Sequence, residues 1–336
     1  MAARLATVLA DRAIKHSTWR CYNLGNMKLS SASNSALFFF AITYCLHVLA
    51  QVPAVKQPVT EVPFEFIHES VVVQAMVNGH GPFWMLLDTG ADPSVVELKT
   101  AKDIGLKLAT SGQQGLGGGT SQNLAYETSL PLVQLGGLTA TNVDAFAMDL
   151  SKLSSTLGRP ISGVLGYSLL KKRIVQIDYP NRRVRFCMIA LSCSGAADSH
   201  SSRRTILSFR YKDDILASGV TVNGKPVITN VDTGSNSYFQ FSPDAVDMVG
   251  LSEEVARAHA SSSVGFNGNL KNLEGKVSNV TVGTISVNNP TVVFAGKGMG
   301  MDNEPWDLRI GNAFLKDYVV TLDYPHGRIT LSAPSN

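Results

Sequence analysis

Two stretches decide how the chain reads: Leu86-Leu87-Asp88-Thr89-Gly90-Ala91 and Asn230-Val231-Asp232-Thr233-Gly234-Ser235. At average residue usage Asp-Thr-Gly is expected roughly 0.05–0.1 times in a chain of this length, so one copy carries little weight. Two copies call for a repeat, and the flanking sequence supplies it. Val77-Asn78-Gly79 precedes the first motif and Val222-Asn223-Gly224 the second. Gly105-Leu106 returns as Gly250-Leu251. Val164-Leu165-Gly166, followed by Val175-Gln176-Ile177-Asp178-Tyr179-Pro180, returns as Arg309-Ile310-Gly311, followed by Val320-Thr321-Leu322-Asp323-Tyr324-Pro325. The offset is 144 for the aspartates and 145 for the other matches. Such a period exceeds any solenoid unit and fits a duplicated domain.

The bulk numbers agree. A chain of 336 residues suits two domains, and 44% hydrophobic against 16% charged residues is enough to bury large cores. The 29 glycines favour a turn-rich β protein. The formal charge of +3 comes from the first 50 residues, where Arg4, Arg12, Lys15, Arg20 and Lys28 face only Asp11. The rest is near neutral, so nothing points to nucleic acid as a partner.

Within each half the local pattern is mostly strand. Residues 70–77 and 215–222 are rich in β-branched side chains and end in Asn-Gly, a hairpin signal. The return strands, 83–87 and 226–231, deliver each Asp to the end of a buried strand. Residues 97–104 and 243–249 read as short helices, with Ser242 as an N-cap and Gly105 and Gly250 as C-caps. Terminal hairpins flank Tyr179-Pro180-Asn181 and Tyr324-Pro325-His326-Gly327. We expect an all-β fold of two similar closed, barrel-like lobes with short helices, related by a pseudo-two-fold axis. The lobes are placed at 51–189 and 205–336, joined by a small, polar, aperiodic linker at 190–204.

The first 50 residues read as a leader. Lys28 precedes an apolar run over 36–50 that is short for a membrane span. Val48-Leu49-Ala50 offers a cleavage site, expected after Ala50, and Met27 is placed to be the true start, with 1–26 upstream of it. An uncleaved anchor is the competing reading. The expectation is a secreted or periplasmic protein with no stable membrane span after cleavage. Cys21 and Cys45 leave with the leader. Cys187 and Cys193 remain, either as a disulfide closing a small loop or as two free thiols, and without clustered His they make no metal site.

Paired aspartates at equivalent positions carry a specific chemistry. Peptide hydrolysis needs an activated water and a proton for the leaving nitrogen. Two facing carboxyl groups supply both, because close together they cannot both ionise. Gly90 and Gly234 let the chain turn beside each carboxylate. Thr89 and Thr233 can hydrogen-bond across to the opposite half, and Ser235 can donate to its aspartate where Ala91 cannot. A single Asp-Thr-Gly reads equally well as a tight turn; the duplication argues against that. Gln114-Gly115-Leu116-Gly117-Gly118-Gly119 suits a hairpin tip that folds over a ligand, with a weaker echo in Val264-Gly265-Phe266-Asn267-Gly268. No Gly-Lys-Ser/Thr follows to make it a phosphate loop, and neither Gly-x-Ser-x-Gly nor His-Glu-x-x-His occurs.

These motifs, over roughly 62–333, resemble the retropepsin/pepsin superfamily of aspartic proteases, in particular its bacterial secreted members. The resemblance implies one closed β lobe per repeat with Asp88 and Asp232 meeting at the cleft, and the Gly115–Gly118 and Gly265-Phe266 tips as substrate-binding flaps. It implies an aspartic endopeptidase that takes a peptide or protein substrate, needs no cofactor and works as a monomer. A non-catalytic peptide-binding protein on the same fold, and a protease that needs dimerisation, are the alternatives. The sequence departs from the family pattern at Asn230, usually apolar, and at Arg309, which opens the second apolar-apolar-Gly element. The first flap also lacks the aromatic residue of pepsin-like enzymes.

Overall fold

The computed structural model describes residues 59–115, 118–119, 123–187, 193, 204–265 and 268–334. The leader with its cleavage site, the linker apart from Cys193 and Arg204, and Leu116, Gly117 and Phe266 lie outside the described residues. What is described is mostly strand, in two β-rich lobes with a few short helices. Among these residues no helix is long and apolar enough to cross a membrane.

Each lobe begins with the hairpin expected from its Asn-Gly. Ser70–Val77 pairs with His80–Leu87, and Ile215–Val222 with Lys225–Val231. Asn78 and Gly79 have φ of 51° and 78°, and Asn223 and Gly224 of 48° and 81°. Two successive left-handed residues turn the chain in the sense that matches strand twist, and Asn and Gly tolerate that conformation best. In the first lobe six strands close a ring. The order is Ser70–Val77, His80–Leu87, Gly163–Leu165, Ser94–Glu97, Leu138–Met148, Leu124–Leu135 and back to Ser70–Val77 through Met76 opposite Gln134. Val71, Val73, Ala75 and Val77 alternate along one face of their strand and join the main core. The second lobe repeats the order, with one change. Its counterpart of the long 124–148 hairpin is cut into Gly268–Lys276, Asn279–Val282, Ile285–Asn288 and Thr291–Ala295. Asn289, left-handed at φ 51°, and Pro290, which has no N–H to give a ladder, fall at one of the cuts.

The lobes are joined by a shared sheet. Ile174–Asp178 pairs antiparallel with Val319–Asp323, with Gln176 directly opposite Thr321. These are equivalent residues of the repeat, and an antiparallel pair centred on equivalent residues is what a two-fold axis between them requires. Gln176 Nε2 donates to Thr321 Oγ1 at 3.1 Å across that axis. Arg183–Cys187 and Thr60–Pro63 extend the sheet on one side, Arg328–Ser332 and Arg204–Tyr211 on the other. Strands of both halves therefore form one continuous layer, and Gln57–Asn336 is a single compact unit. Cys187, at the end of its strand, is joined to Cys193 by a disulfide.

The two short helices expected at 97–104 and 243–249 are present as Leu98–Asp103 and Ala245–Val249, and Ser151–Leu157 and Ser252–Ala256 are helices the sequence reading did not place. Leu98–Asp103 is capped by Glu97, whose carboxylate accepts from Lys99 N–H. Ala245–Val249 ends on Gly250 in the left-handed conformation. Ser242 is not its N-cap. The Ser242 N–H is held by the Asp307 carbonyl as a strand continuation, and the helix starts at Ala245, with Asp244 in the cap position.

Leu322 is fully buried in the shared sheet. Leu322→Ala is expected to cost about 2–5 kcal/mol. Urea unfolding followed by circular dichroism should still show one transition at lower urea, since the strand serves both lobes; two separated transitions would contradict that coupling.

Candidate active site

The strands that carry the two aspartates are buried to their ends: Met85, Leu86, Leu87 and Val231 are at most 2% exposed. Each is held by a parallel neighbour. Leu86 lies opposite Val164 and Val231 opposite Ile310. The pairing continues one step beyond the strand, where Asp88 N–H donates to Leu165 O at 3.1 Å and Asp232 N–H to Ile310 O at 3.0 Å. The apolar-apolar-Gly elements thus anchor the backbone of each aspartate.

The threonines then tie the two loops to each other. Thr89 N–H donates to Thr233 Oγ1, and Thr233 N–H to Thr89 Oγ1, both at 3.0 Å. Each hydroxyl passes its own proton to the opposite strand: Thr89 Oγ1 to Val231 O at 2.7 Å, Thr233 Oγ1 to Leu87 O at 2.8 Å. All four groups are buried, where an unmade hydrogen bond is expensive. Above them, Gly90 N–H donates to Asp88 Oδ1 and Gly234 N–H to Asp232 Oδ1, each at 2.8 Å.

This grip brings the two carboxyl groups close together, each packed against the other loop's glycine. Each glycine lies beneath the other half's carboxylate. A methyl group on Gly234 would sit 2.2 Å from Asp88 Oδ2, and one on Gly90 2.8 Å from Asp232 Oδ1. Only glycine permits that approach. Asp88 is 4% and Asp232 6% exposed. Burial, then the charge of Asp232, pushes the Asp88 carboxyl well above the usual carboxylate range, and the Gly90 N–H and Arg309 pull it partly back. One proton is therefore retained by the pair at pH values where an exposed aspartate has lost its own.

The surroundings of the two aspartates differ. Ala91 O accepts from Tyr167 N–H at 2.8 Å, and Ser235 O from Asn312 N–H at the same distance. The Ser235 hydroxyl pairs with Ser237 Oγ at 2.8 Å, and not with Asp232 as expected; Asp232 Oδ1 is already served by Gly234 N–H, and Ser237 N–H draws the hydroxyl down its own turn. Asp232 Oδ2 instead faces Arg309 Nε at 3.1 Å. Asn312 braces the second loop from below, donating to Thr233 O at 2.6 Å and to Glu69 O at 2.7 Å while accepting from Tyr179 OH.

The dyad sits on the floor of a cleft of about 780 Å³. The roof comes from both lobes. The strand pair His259–Gly265 and Gly268–Lys276 forms one hairpin. Gly118 of the first lobe's loop lies against Gly265 and Leu270 of that hairpin, and Gly119 N–H reaches Met299 O at 2.9 Å. Gly115 lies farther back, beside Asn123 and Met148. Sequence reasoning did not find Asn312 or the buried Asp214 behind Asn230. It noted Asn230 and Arg309 as departures without a role. The signal available was two polar side chains on strands otherwise apolar, at matching positions of neighbouring strands.

A family model for aspartyl proteases matches the chain twice, over 73–169 and 218–314, at the spacing of the internal repeat. The chain belongs to the aspartyl protease family. No curated protein sequence matches it significantly. Among solved structures it is similar to basic 7S globulin from soybean, at 10% identity and a TM-score of 0.46, with 83% of this chain and 96% of that chain covered.

Thr233→Val should leave Thr89 N–H and Leu87 O unpaired and cost about 1–3 kcal/mol for each. Thr233→Ser, which keeps the oxygen, should cost clearly less in the same thermal or urea unfolding assay. Asp88 gives a pH signature. Its native carboxyl holds a proton above the unfolded value of about 3.9, so native stability falls as pH rises through that window. Asp88→Asn removes this titration while keeping an acceptor for Gly90. The melting temperature of the variant should gain on that of the parent as pH rises from mildly acidic to neutral, and a constant difference would show that Asp88 is not held protonated.

Proposed function

We propose that this protein is an aspartic endopeptidase that hydrolyses peptide bonds in the cleft between its lobes, with a water activated by Asp88 and Asp232. The observation that carries the reading is the pair itself: two carboxyl groups from equivalent loops, clamped by reciprocal threonine bonds, buried, and with Asp88 pushed toward the protonated form. In the monoprotonated pair the charged member accepts a proton from the water as the water oxygen bonds to the scissile carbonyl carbon. The protonated member donates to the carbonyl oxygen as it gains charge. Collapse of the tetrahedral intermediate breaks the C–N bond, and the amine leaves with a proton returned through the pair. The pair titrates as one unit, so its pH limits belong to both residues.

The cleft supports an extended peptide as substrate, since its volume is that of a ligand site and Gly118, Gly265 and Leu270 line it opposite the dyad's loops. Both aspartates come from one chain, which supports a working monomer. Light scattering of the active species tests this, and activity confined to a dimer would overturn it. The Cys187–Cys193 disulfide supports an oxidising compartment, in keeping with a secreted or periplasmic protein.

Mature protein incubated with a peptide library over a range of pH, with and without pepstatin, is the test. Cleavage should be pepstatin-sensitive, and Asp88→Asn and Asp232→Asn should each lower kcat by about a thousandfold or more, with no further loss in the double variant. Full turnover by either single variant would exclude the two-aspartate mechanism. Peptide retention on both the parent and the variants, with no cleavage at any pH, would mark a binding protein on this fold.

A further inference from the structure

The two sides of the dyad are built from different chemistry, although the halves are copies. In the first lobe the strand pair below the catalytic loop places Leu86 opposite Val164, both apolar and buried. The equivalent pair in the second lobe is Asn230 opposite Arg309. Arg309 Nε lies 3.1 Å from Asp232 Oδ2 and 3.1 Å from Asn230 Oδ1. Its guanidinium carbon stands 4.4 Å from the centre of the Trp306 ring. Asn230 is itself oriented from behind, with its Nδ2 donating to Asp214 Oδ1 and to Ile215 O. With the amide nitrogen taken by Asp214, the amide oxygen must face Arg309. Asp214, Asn230 and Trp306 therefore hold the guanidinium in direct contact with Asp232, while Asp88 feels it only as the last and weakest of its influences.

We propose that Arg309 is a positioning residue that divides the labour of the dyad: it keeps the negative charge on Asp232, which acts as the base toward water, and leaves the shared proton on Asp88, which acts as the acid toward the carbonyl. The proposal rests on the endopeptidase reading for its consequences in turnover, but the charge asymmetry itself does not need turnover. Asp88, Asp214, Glu304 and the phenols of Tyr179 and Tyr324 are the titratable groups that interact with this corner, and His68 and Glu274 line the cleft beyond it. Asp88 comes from the first loop, with no cation among the side chains of its own strand pair. Asp214, at the head of the strand Ile215–Val222, and Glu304, before the strand Leu308–Ile310, are the two other acids near the guanidinium. Burial raises Asp214 to about 7 and also raises Glu304, which makes both weaker rivals for the guanidinium than exposed carboxylates would be. Tyr179 and Tyr324, packed beneath the dyad, are held as neutral phenols by burial first and by the aspartates second. On the first lobe's side of the cleft the basic side chain is His68, and among the described residues no ion pair joins it to Asp88.

The test compares the parent, Arg309→Met and Arg309→Lys, as mature full-length protein, by two readouts. The first is the pH profile of kcat/KM on a cleaved peptide. Loss of the cation should move the acid limb of Arg309→Met upward by about one pH unit, and Arg309→Lys, which keeps the charge, should recover most of that shift. The second needs no activity: carboxyl carbon NMR of protein labelled at aspartate, with the two signals assigned by their loss in Asp88→Asn and Asp232→Asn. In the parent at mildly acidic pH the Asp232 signal should carry the ionised shift and the Asp88 signal the protonated one, and Arg309→Met should bring the two together. An NMR asymmetry in a parent that cleaves nothing would uphold the role of Arg309 and sink the endopeptidase reading. A parent that cleaves peptides but shows symmetric carboxyls, or an ionised Asp88, would do the reverse. Unshifted limbs in Arg309→Met, or faster turnover at every pH, would overturn the proposal, the latter marking Arg309 as an obstruction in the cleft. Because Lys retains the charge and a long stem, it also covers the case in which Met at this position fails to fold.

Discussion

The rest of the structure depends on a reciprocal exchange of backbone partners between two halves of one chain. Each threonine hydroxyl accepts an N–H from the other loop and returns a proton to the other strand's carbonyl. Neither loop can satisfy these buried groups alone, so each half needs its copy. The same constraint sets the separation of the carboxylates. With the loops locked back to back, each aspartate lies over the other loop's glycine, and neither can retreat toward water. Burial and mutual charge then follow, and with them the raised Asp88. The unusual protonation is a consequence of packing.

The grip is supported at two distances. Close by, the parallel strand pairs hold the aspartate N–H groups, and Asn312 ties the second loop to Tyr179 and to the Glu69 carbonyl of the first lobe. Farther away, the antiparallel pairing of Ile174–Asp178 with Val319–Asp323 places a symmetry axis between Gln176 and Thr321. Two symmetric contacts, one at the cleft and one in the shared sheet, define one axis. A rotation of either lobe that keeps the sheet intact would break the threonine bonds, so the distance between the carboxylates is fixed by the whole fold.

Symmetry gives proximity but no division of roles. A symmetric pair of carboxyls shares its charge equally, and hydrolysis needs one to take a proton while the other gives one. The copies have diverged in the strand pairs beside the two aspartates. Leu86 and Val164 face one aspartate, and Asn230 and Arg309 face the other. The break in the second lobe's long hairpin at Asn289-Pro290 is a further divergence, and Pro290 lines the cleft that holds the dyad.

The sequence by itself determined the local geometry and the duplication. Asn-Gly at 78–79 and 223–224 favours a tight left-handed turn, β-branched-rich runs made the strands before it, and a near-constant offset made the two halves equivalent. From equivalence came the pairing of Asp88 with Asp232 and the threonines' reach across the interface. Such features are legible because each depends on a few neighbouring residues or on a spacing. The tertiary structure alone decided where Ser235 sends its hydroxyl, that Ser242 continues a strand instead of capping a helix, and that Asn312 and Asp214 belong to the site. It also turned Arg309 from a departure into a partner of Asp232, and Asn230 into the side chain that holds Arg309 there. Each of these is a contact between positions 2 to 243 residues apart whose outcome depends on which polar group wins a shared donor or acceptor. That competition is settled only when the strands are packed, and no pattern along the chain records it.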